Sequence, residues 1–364
     1  MRIAGRATRT IWVEADGSVG VIDQRALPHR VETVRLAGVG DAVRAIADMA
    51  VRGAPLIGVT AAYGLALQAR ADAGDAALER AAAALKAARP TAVNLAWAVD
   101  RMLCELREVP VPDRVEAAWA AAARLADDDV AVNQAIGRHG LALLHELARR
   151  KGGAPLNLLT HCNAGWLATV DWGTALAPVY AAQRAGIDVH VWVDETRPRN
   201  QGASLTCFEL REEGVPHTLV ADNAGGHLMQ RGRVDAVIVG CDRVSARGDV
   251  ANKIGTYLKA LAARDNGVPF WVAMPCSTLD RTLDDGAAIP IEERGAREVT
   301  HLVGRDAHGS LVEVGLAPQG TAAANPAFDV TPARLVDALV TERGVVSATR
   351  EGIGSLHAKE AAGG

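Results

Sequence analysis

Five short apolar runs, each followed by a polar cluster, constrain the fold of this chain more than any other feature of its sequence. The runs are LNLLT, DVHVWV, HTLVA, AVIVG and PFWVAM, and all lie between residues 156 and 274. Stretches with helical character separate them. Continuous apolar strands that alternate with helices are typical of a parallel sheet covered on both faces. The sequence therefore predicts an α/β fold.

Polar residues stand where each of these strands is expected to end. They are His161-Cys162-Asn163, Asp194-Glu195, Asp222-Asn223, Cys241-Asp242-Arg243 and Pro275-Cys276-Ser277. In open parallel sheets, ligands bind beyond the carboxyl ends of the strands. We therefore expect these clusters to form a functional site.

The first third of the chain has a different character. Residues 10–25 place β-branched residues on both sides of an Asp16-Gly17 turn, which predicts a β-hairpin. Helix signals follow, namely Asp41 as a cap, Pro55 in a first turn, and Ala-rich stretches at 75–88 and 113–149. We predict an N-terminal β/helical domain at 1–126 and a catalytic domain at 127–364.

Charge and composition argue against several classes of protein. The net charge of −4 disfavours a general nucleic-acid or membrane surface. No apolar stretch approaches the roughly 20 residues of a membrane-spanning helix, and the N-terminus lacks the apolar segment of a secretory signal. The five cysteines are scattered without a CxxC spacing, which suits a reducing compartment. We expect a cytoplasmic protein with no nucleic-acid or membrane partner.

Sequence motifs for cofactors and metals are incomplete. Gly38-Val39-Gly40 lacks the third glycine of a dinucleotide loop, because Val43 stands in its place. The histidines are scattered, and neither HExxH nor paired cysteines occur. His161 adjoins Cys162 only in sequence, and neighbours at a strand end point to opposite faces. We expect neither a cofactor nor a metal.

Basic residues stand at several expected helix starts. They are Arg52 in Arg52-Gly53-Ala54-Pro55, Arg89 in Arg89-Pro90-Thr91, and Lys253 next to Asn252 before IGTYLKALAAR. The first turn of a helix has free N–H groups and a positive dipole end, which favour anions. A plain turn explains each motif taken alone. Together with Cys162 and Asp242, which end two strands, they indicate acid/base chemistry on a phosphorylated small molecule.

With these residues in view, the chain resembles the methylthioribose-1-phosphate isomerases of methionine salvage, which share a superfamily with regulatory subunits of translation initiation factor 2B. The matching stretches are VRGAPLIGVTAAYG, RPTAVNLAWA, HCNAGWLAT, VDETRPRNQGA, ADNAGGHLMQRG, DAVIVGCDR and DVANKIGTYLKALAAR, which span 51–264, and DQRALP and IPIEER flank them. The resemblance implies a small N-terminal β/helical domain, a Rossmann-like C-terminal domain and a homodimer.

The resemblance also implies an activity and a set of site residues. The reaction would be the conversion of 5-methylthioribose 1-phosphate to 5-methylthioribulose 1-phosphate, an aldose–ketose isomerisation. Cys162 and Asp242 occupy the positions of the catalytic pair. The implied substrate contacts are Arg52, Gly53, Ala54, Arg89, Gln201, Asn252 and Lys253.

Two alternatives stay open at this point. One is an isomerase of a related pentose 1-phosphate, such as 5-deoxyribose 1-phosphate or ribose 1,5-bisphosphate. The other is a non-catalytic regulatory protein that binds a sugar phosphate or nucleotide. Trp166 stands where a smaller residue is expected after HCNAG, so it is the first candidate for shaping the pocket around C5. We expect 163–165 to let the backbone approach the sugar.

Overall fold

The structure is a computed structural model, which describes residues 1–90 and 92–361. Thr91, the last residue of the predicted Arg89-Pro90-Thr91 motif, lies outside the described residues. The elements of the N-terminal part are β1 (Arg2–Ile3), β2 (Arg6–Ala7), β3 (Ile11–Val13), β4 (Val19–Ile22), β5 (Thr33–Leu36), α1 (Val39–Ala47), α2 (Ala54–Ala71), α3 (Asp75–Ala88), α4 (Val93–Arg107) and α5 (Arg114–Arg150).

The predicted hairpin is confirmed as β3 and β4, which pair antiparallel with Trp12 opposite Gly20. The strand β5 adds a third, unpredicted member to this sheet. The prediction that Asp41 caps a helix needs a correction, because α1 begins at Val39 after Gly38. Asp41 lies inside the first turn, where its carboxylate accepts the N–H groups of Ala37 and Gly38. It therefore stabilises the helix start from within.

The long helix α5 joins the two parts of the molecule. It has 37 residues and passes without interruption through position 126, where the predicted domain boundary lies. Ala118 and Leu125 pack in a core that includes the buried residues of α2. Ile136 and Leu144 pack in a second core, which includes the strands of the C-terminal sheet. The predicted boundary thus falls in a helix that passes from one core to another.

The elements after α5 form the sheet that carries the site and two smaller sheets. The strands are β6 (Leu156–Thr160), β7 (Val189–Asp194), β8 (His217–Val220), β9 (Ala236–Val239), β10 (Arg243–Ser245), β11 (Val250–Lys253), β12 (Phe270–Ala273), β13 (Leu279–Asp280), β14 (His301–Arg305), β15 (Leu311–Gly315), β16 (Phe328–Thr331), β17 (Ala338–Thr341) and β18 (Gly344–Val346). The helices are α6 (Ala177–Arg184), α7 (Cys207–Glu212), α8 (Ala224–Gln230), α9 (Thr256–Asp265), α10 (Arg297–Thr300) and α11 (Arg350–Ala361). A π-helical turn, Gly202–Thr206, leads directly into α7.

The five apolar runs form five parallel strands of one seven-stranded sheet, so the predicted α/β fold is confirmed. Its strand order is β18-β17-β12-β9-β6-β7-β8, in which only the β17–β18 pair is antiparallel. The chain progresses outward from β6 toward β8 on one side and from β9 toward β17 on the other. The crevice at such a reversal is where ligands bind in this architecture. Cys162 follows β6 and Asp242 follows β9.

A second sheet contains the segment that precedes α9. The prediction that Lys253 stands beside a helix start needs a correction, because Val250–Lys253 is the strand β11, which pairs with β10 and β16. The helix α9 begins only at Thr256. Lys253 therefore stands at a strand end opposite Phe328, where the backbone fixes its direction. Among the described residues, no helix is both long and apolar enough to cross a membrane.

Candidate active site

The structure brings all nine predicted site residues to the wall of one cavity at the β6–β9 crevice. They are Arg52, Gly53, Ala54, Arg89, Cys162, Gln201, Asp242, Asn252 and Lys253. The same wall includes Asn163 of the predicted cluster after β6, and also Arg294 and Phe328, which no sequence motif indicated. Arg294 ends the stretch IPIEER. A basic residue there was visible in the sequence, but no helix start or strand end marked it.

Cys162 has an unusual backbone conformation. Its φ of 66° lies in the left-handed region, which a residue with a Cβ seldom adopts. The peptide is held on both sides, because its N–H donates to Thr196 Oγ1 at 2.8 Å and its carbonyl accepts from Thr206 Oγ1 at 2.7 Å. Such conformations persist where the surroundings enforce them, often at functional sites. The thiol is thus presented from a fixed loop.

Arg52 is tied to the residue that follows Cys162. Its guanidinium donates to Asn163 Oδ1 and, at 2.7 Å, to the Asn163 carbonyl oxygen. Gly53, with a φ of 95°, caps the start of α2. A Cβ at Gly53 would overlap the backbone of Ala168. Glycine at 53 therefore lets the positive end of α2 approach the loop after β6.

Positive charge dominates the cavity wall. Arg52, Arg89, Lys253 and Arg294 face one carboxyl group, Asp242. Burial lowers the pKa of both Arg52 and Lys253, and the cavity's acidic groups oppose this shift. Arg89 and Arg294 already lie near the carboxylates of Glu292 and Glu298. A phosphate dianion would supply negative charge to Arg52 and Lys253.

The two groups of the predicted catalytic pair have shifted pKa values. Burial raises the pKa of Asp242, although Lys253, Arg89 and Arg52 lower it in part. Burial also raises the pKa of the Cys162 thiol, against the influence of Arg52 and Lys253. Asp242 therefore holds its proton to higher pH than an exposed aspartate, and Cys162 is a neutral thiol at neutral pH.

The other polar side chains of the cavity wall differ in whether they have a partner within the protein. Lys253 donates to the Ala327 carbonyl at 2.8 Å and lies 4.4 Å from the Phe328 ring centroid. Arg89 lies 3.5 Å from Glu292. Gln201 is buried, and its Oε1 has no hydrogen-bond partner within the described part of the chain. A sugar hydroxyl would satisfy that oxygen, since buried polar atoms are nearly always paired.

A buried glutamate stands behind the cavity, and no sequence signal pointed to it. Glu209 of α7 is fully buried and accepts hydrogen bonds from Asn163 Nδ2 at 2.5 Å and from the Trp166 N–H at 2.7 Å. Within the segment 163–165, which was predicted to approach the sugar, Asn163 and Ala164 line the cavity. Gly165 instead leaves room for Glu209, because a Cβ at Gly165 would overlap the carboxylate. Trp166 is packed in the core and is absent from the cavity wall, so it does not shape the C5 pocket.

His161 belongs to a separate buried cluster. Its Nδ1 lies 2.9 Å from Asp194 Oδ2, and its Nε2 lies 2.8 Å from the Ile254 carbonyl oxygen. Ligand atoms of His161, Asp194 and Asp222 lie within 4.8 Å of one another, close enough for one metal ion. The Lys259 ammonium is 3.2 Å from Asp194 and already supplies a positive charge there. His161 thus links the β6 loop to the start of α9.

A larger groove, about 920 Å³ in volume, adjoins the cavity across Pro55 and Pro275. Its charged lining is mixed, with Asp100, Asp128, Asp129 and Glu342 beside three arginines. A phosphate would meet repulsion as well as attraction there. The smaller cavity, with four cations to one carboxyl group, is the better anion site despite its size.

Comparisons with known proteins identify the family of this chain. The model of the initiation factor 2 subunit family matches residues 50–348. The chain belongs to the initiation factor 2 subunit family. Within it, the methylthioribose-1-phosphate isomerase of Methylorubrum populi is 63% identical over 359 residues, which cover 98% of each chain.

Two solved structures of this family extend the comparison. A 5-methylthioribose 1-phosphate isomerase from Pyrococcus horikoshii OT3 has a TM-score of 0.82 and 39% identity, covering 97% of this chain and 96% of that one. Subunit delta of translation initiation factor eIF-2B from A. fulgidus has a TM-score of 0.79 and 38% identity, covering 96% and 99%. The fold alone therefore does not distinguish an isomerase from an initiation-factor subunit, so the proposed function depends on the site.

Proposed function

We propose that the protein converts 5-methylthioribose 1-phosphate to 5-methylthioribulose 1-phosphate, an aldose–ketose isomerisation in methionine salvage. The observation that carries the proposal is that Cys162 and Asp242, whose pKa is raised by burial, line one cation-rich cavity. The Methylorubrum populi relative, 63% identical, bears the corresponding name. No cofactor enters the reaction as we propose it.

Asp242 acts as the general acid of the first step. A phosphate on C1 prevents the simple opening of a hemiacetal, so the ring oxygen must be protonated before the C1–O bond breaks. A carboxylic acid that keeps its proton near neutral pH can supply it. The raised pKa of Asp242 supports this role. Arg52, Lys253 and the start of α2 bind the phosphate and hold the sugar in reacting geometry.

Cys162 serves the second step, in which hydrogen moves from C2 to C1. Either a base removes the C2 proton and an enol phosphate forms, or a hydride migrates directly. As a base, Cys162 must first lose its proton, and burial opposes this loss. In the hydride route, the neutral thiol of Cys162, held by the loop after β6, stabilises the transition state for migration from C2 to C1. Solvent-deuterium incorporation at C1 distinguishes the two routes.

An apolar chamber beside the catalytic cavity supports the methylthio group as the C5 substituent. The chamber shares Asp242 and Phe328 with the cavity, and its apolar lining is Ile57, Ala92, Ile289, Pro290, Ile291 and Phe328. Its two arginines already have acidic neighbours, since Arg89 lies 3.5 Å from Glu292 and Arg243 lies 3.3 Å from Asp280. A second phosphate at C5 would therefore lose its hydration and would meet only arginines that already lie beside carboxylates.

Comparison of kcat/KM for three sugars tests the proposed substrate. We expect 5-methylthioribose 1-phosphate to exceed 5-deoxyribose 1-phosphate by about 10- to 100-fold, because the apolar chamber gains the buried methylthio group. Ribose 1,5-bisphosphate should be the poorest of the three. A coupled assay that detects each ketose 1-phosphate measures this order, and an equal or higher kcat/KM for the bisphosphate would contradict it.

A non-catalytic regulatory role is the second candidate, because an eIF-2B subunit shares the fold at 38% identity. The cavity favours catalysis, since a binding site needs neither a thiol nor a carboxyl group with a raised pKa. We further propose that the enzyme acts as a homodimer in the cytoplasm, with two domains divided at 126. Five cysteines that are all free thiols support a reducing location.

A further inference from the structure

The carboxylate of Glu209 contacts Asn163, which lines the cavity. Each of its oxygens accepts two hydrogen bonds. Oε1 accepts from Asn163 Nδ2 at 2.5 Å and the Leu167 N–H at 3.3 Å, while Oε2 accepts from the Trp166 N–H at 2.7 Å and the Tyr180 hydroxyl at 2.8 Å. Three of these four donors belong to the loop that presents Cys162. The carboxylate therefore organises that loop from behind.

The contact is directional, because it orients the Asn163 amide. With its Nδ2 bound to Glu209, Asn163 turns its Oδ1 toward the guanidinium of Arg52, which donates to it. The ionised carboxylate and the guanidinium thus sit on opposite sides of one amide, and the charge of Glu209 favours the charged form of Arg52. An amide oriented this way fixes a cation that lines the cavity.

The same helical segment holds Cys162 directly. Thr206, one turn before Glu209, donates to the Cys162 carbonyl at 2.7 Å and accepts from Asn163 Nδ2 at 3.2 Å. Thr206 and Glu209 therefore bind consecutive residues of the loop. Thr206 binds the Cys162 carbonyl, and Glu209 binds the Asn163 side chain. Gly165 leaves room for this arrangement, because any Cβ there would overlap the carboxylate.

We propose that Glu209 is a positioning residue of the isomerase, which in its ionised form orients Asn163 and so aligns Arg52 and Cys162 for the reaction. The inference rests on the proposed function. Burial raises the pKa of Glu209 to about 7, although all four of its hydrogen bonds lower it. Loss of the charge as pH falls through this value would disrupt the alignment, so the acid side of the activity profile reports on Glu209.

Few titratable groups besides Glu209 itself could cause a loss of activity at acid pH through this contact. From α6 it faces Tyr180, whose pKa is raised well above its usual value, and across Asn163 it faces Arg52. The donors of the loop are uncharged. Asp171 and Glu213 act on Tyr180. A substrate phosphate also titrates near pH 6, so variants rather than the wild-type profile alone decide the question.

The test compares kcat and KM against pH for the wild type, Glu209→Gln and Tyr180→Phe. Glutamine keeps the side-chain size but places an NH₂ group against at least one N–H donor, so we expect kcat/KM to fall about 100-fold. Because glutamine does not titrate, the acid-side loss of activity near pH 7 should vanish. Phenylalanine removes one hydrogen bond to the ionised carboxylate, which should move that loss about one pH unit upward. Glu108→Gln, at an exposed position after α4, is the matched control.

The outcomes separate this inference from the function on which it rests. Wild-type activity with unchanged acid-side profiles in both variants would overturn the role of Glu209 alone. Absence of turnover by the wild type would overturn the proposed function and this inference with it. If Glu209→Gln is not recovered as a folded protein, Tyr180→Phe decides, because an acid-side profile that does not move in this variant contradicts the inference.

Discussion

Replacement of Asp242 by asparagine should lower kcat by about 10²- to 10⁴-fold, the usual contribution of a general acid. The amide keeps the size of the side chain but has no proton to give to the ring oxygen. Because burial raises the pKa of Asp242, the native group carries a proton more often than an exposed aspartate does. Because the amide has the same shape as the carboxyl group, the fold should tolerate the substitution, and the melting temperature should stay near that of the wild type.

The pH profile gives a second readout of Asp242. A general acid works only while protonated, so wild-type kcat should fall as pH rises through the raised pKa of Asp242. Asp242→Asn should lack this alkaline-side fall. Asp265→Asn, at the exposed end of α9, makes the same chemical change away from the cavity and should retain wild-type kcat. Near-normal turnover by Asp242→Asn would remove this residue from the chemistry.

Replacement of Cys162 by serine should also lower kcat by about 10²- to 10⁴-fold. A hydroxyl ionises far less readily than a thiol and is less polarisable, so it serves neither as a base nor as a stabiliser of the migrating hydrogen. The fold should tolerate the change, because Thr196 and Thr206 hold the backbone rather than the side chain of residue 162. Rapid-mixing or steady-state assays of purified protein, together with thermal unfolding, measure both effects.

A matched cysteine variant controls for the loss of a thiol as such. Cys104 is an exposed free thiol on α4, and Cys104→Ser should leave kcat unchanged. Turnover by Cys162→Ser within a few-fold of the wild type would contradict a chemical role for Cys162. In D₂O, deuterium at C1 of the wild-type product would support proton transfer, whereas its complete absence would favour hydride migration.

The sheet and its edge were predictable because their signals are local. Each of the five apolar runs matches its strand to within one residue at either end. The carboxyl ends of parallel strands meet at one edge, which is why residues as distant in sequence as Cys162 and Asp242 line the same cavity. The Ala-rich stretch 75–88 coincides with α3, Asp75–Ala88, because its alanines, leucines and charged residues have high helix propensity.

Features that depend on tertiary packing were not predictable in the same way. Glu209 looks like an ordinary charged residue of ELREEG, and only the position of α7 against the loop after β6 buries it. Val250–Lys253 forms a strand because it pairs with β10 and β16, and local propensity does not reveal these partners. The sequence left open whether Trp166 packs in the core or shapes the pocket, and only the tertiary structure places its side chain in the core behind the loop.

The most direct test of the central claim is a ¹³C NMR measurement of 5-methylthioribose 1-phosphate incubated with the purified protein. We expect the anomeric C1 signal to disappear and a ketone carbon to appear at C2, with the phosphate retained on C1. Cys162→Ser and Asp242→Asn, at equal concentration, should produce this ketone far more slowly. An unchanged substrate spectrum with the wild-type protein would contradict the assignment of this cavity to aldose–ketose isomerisation.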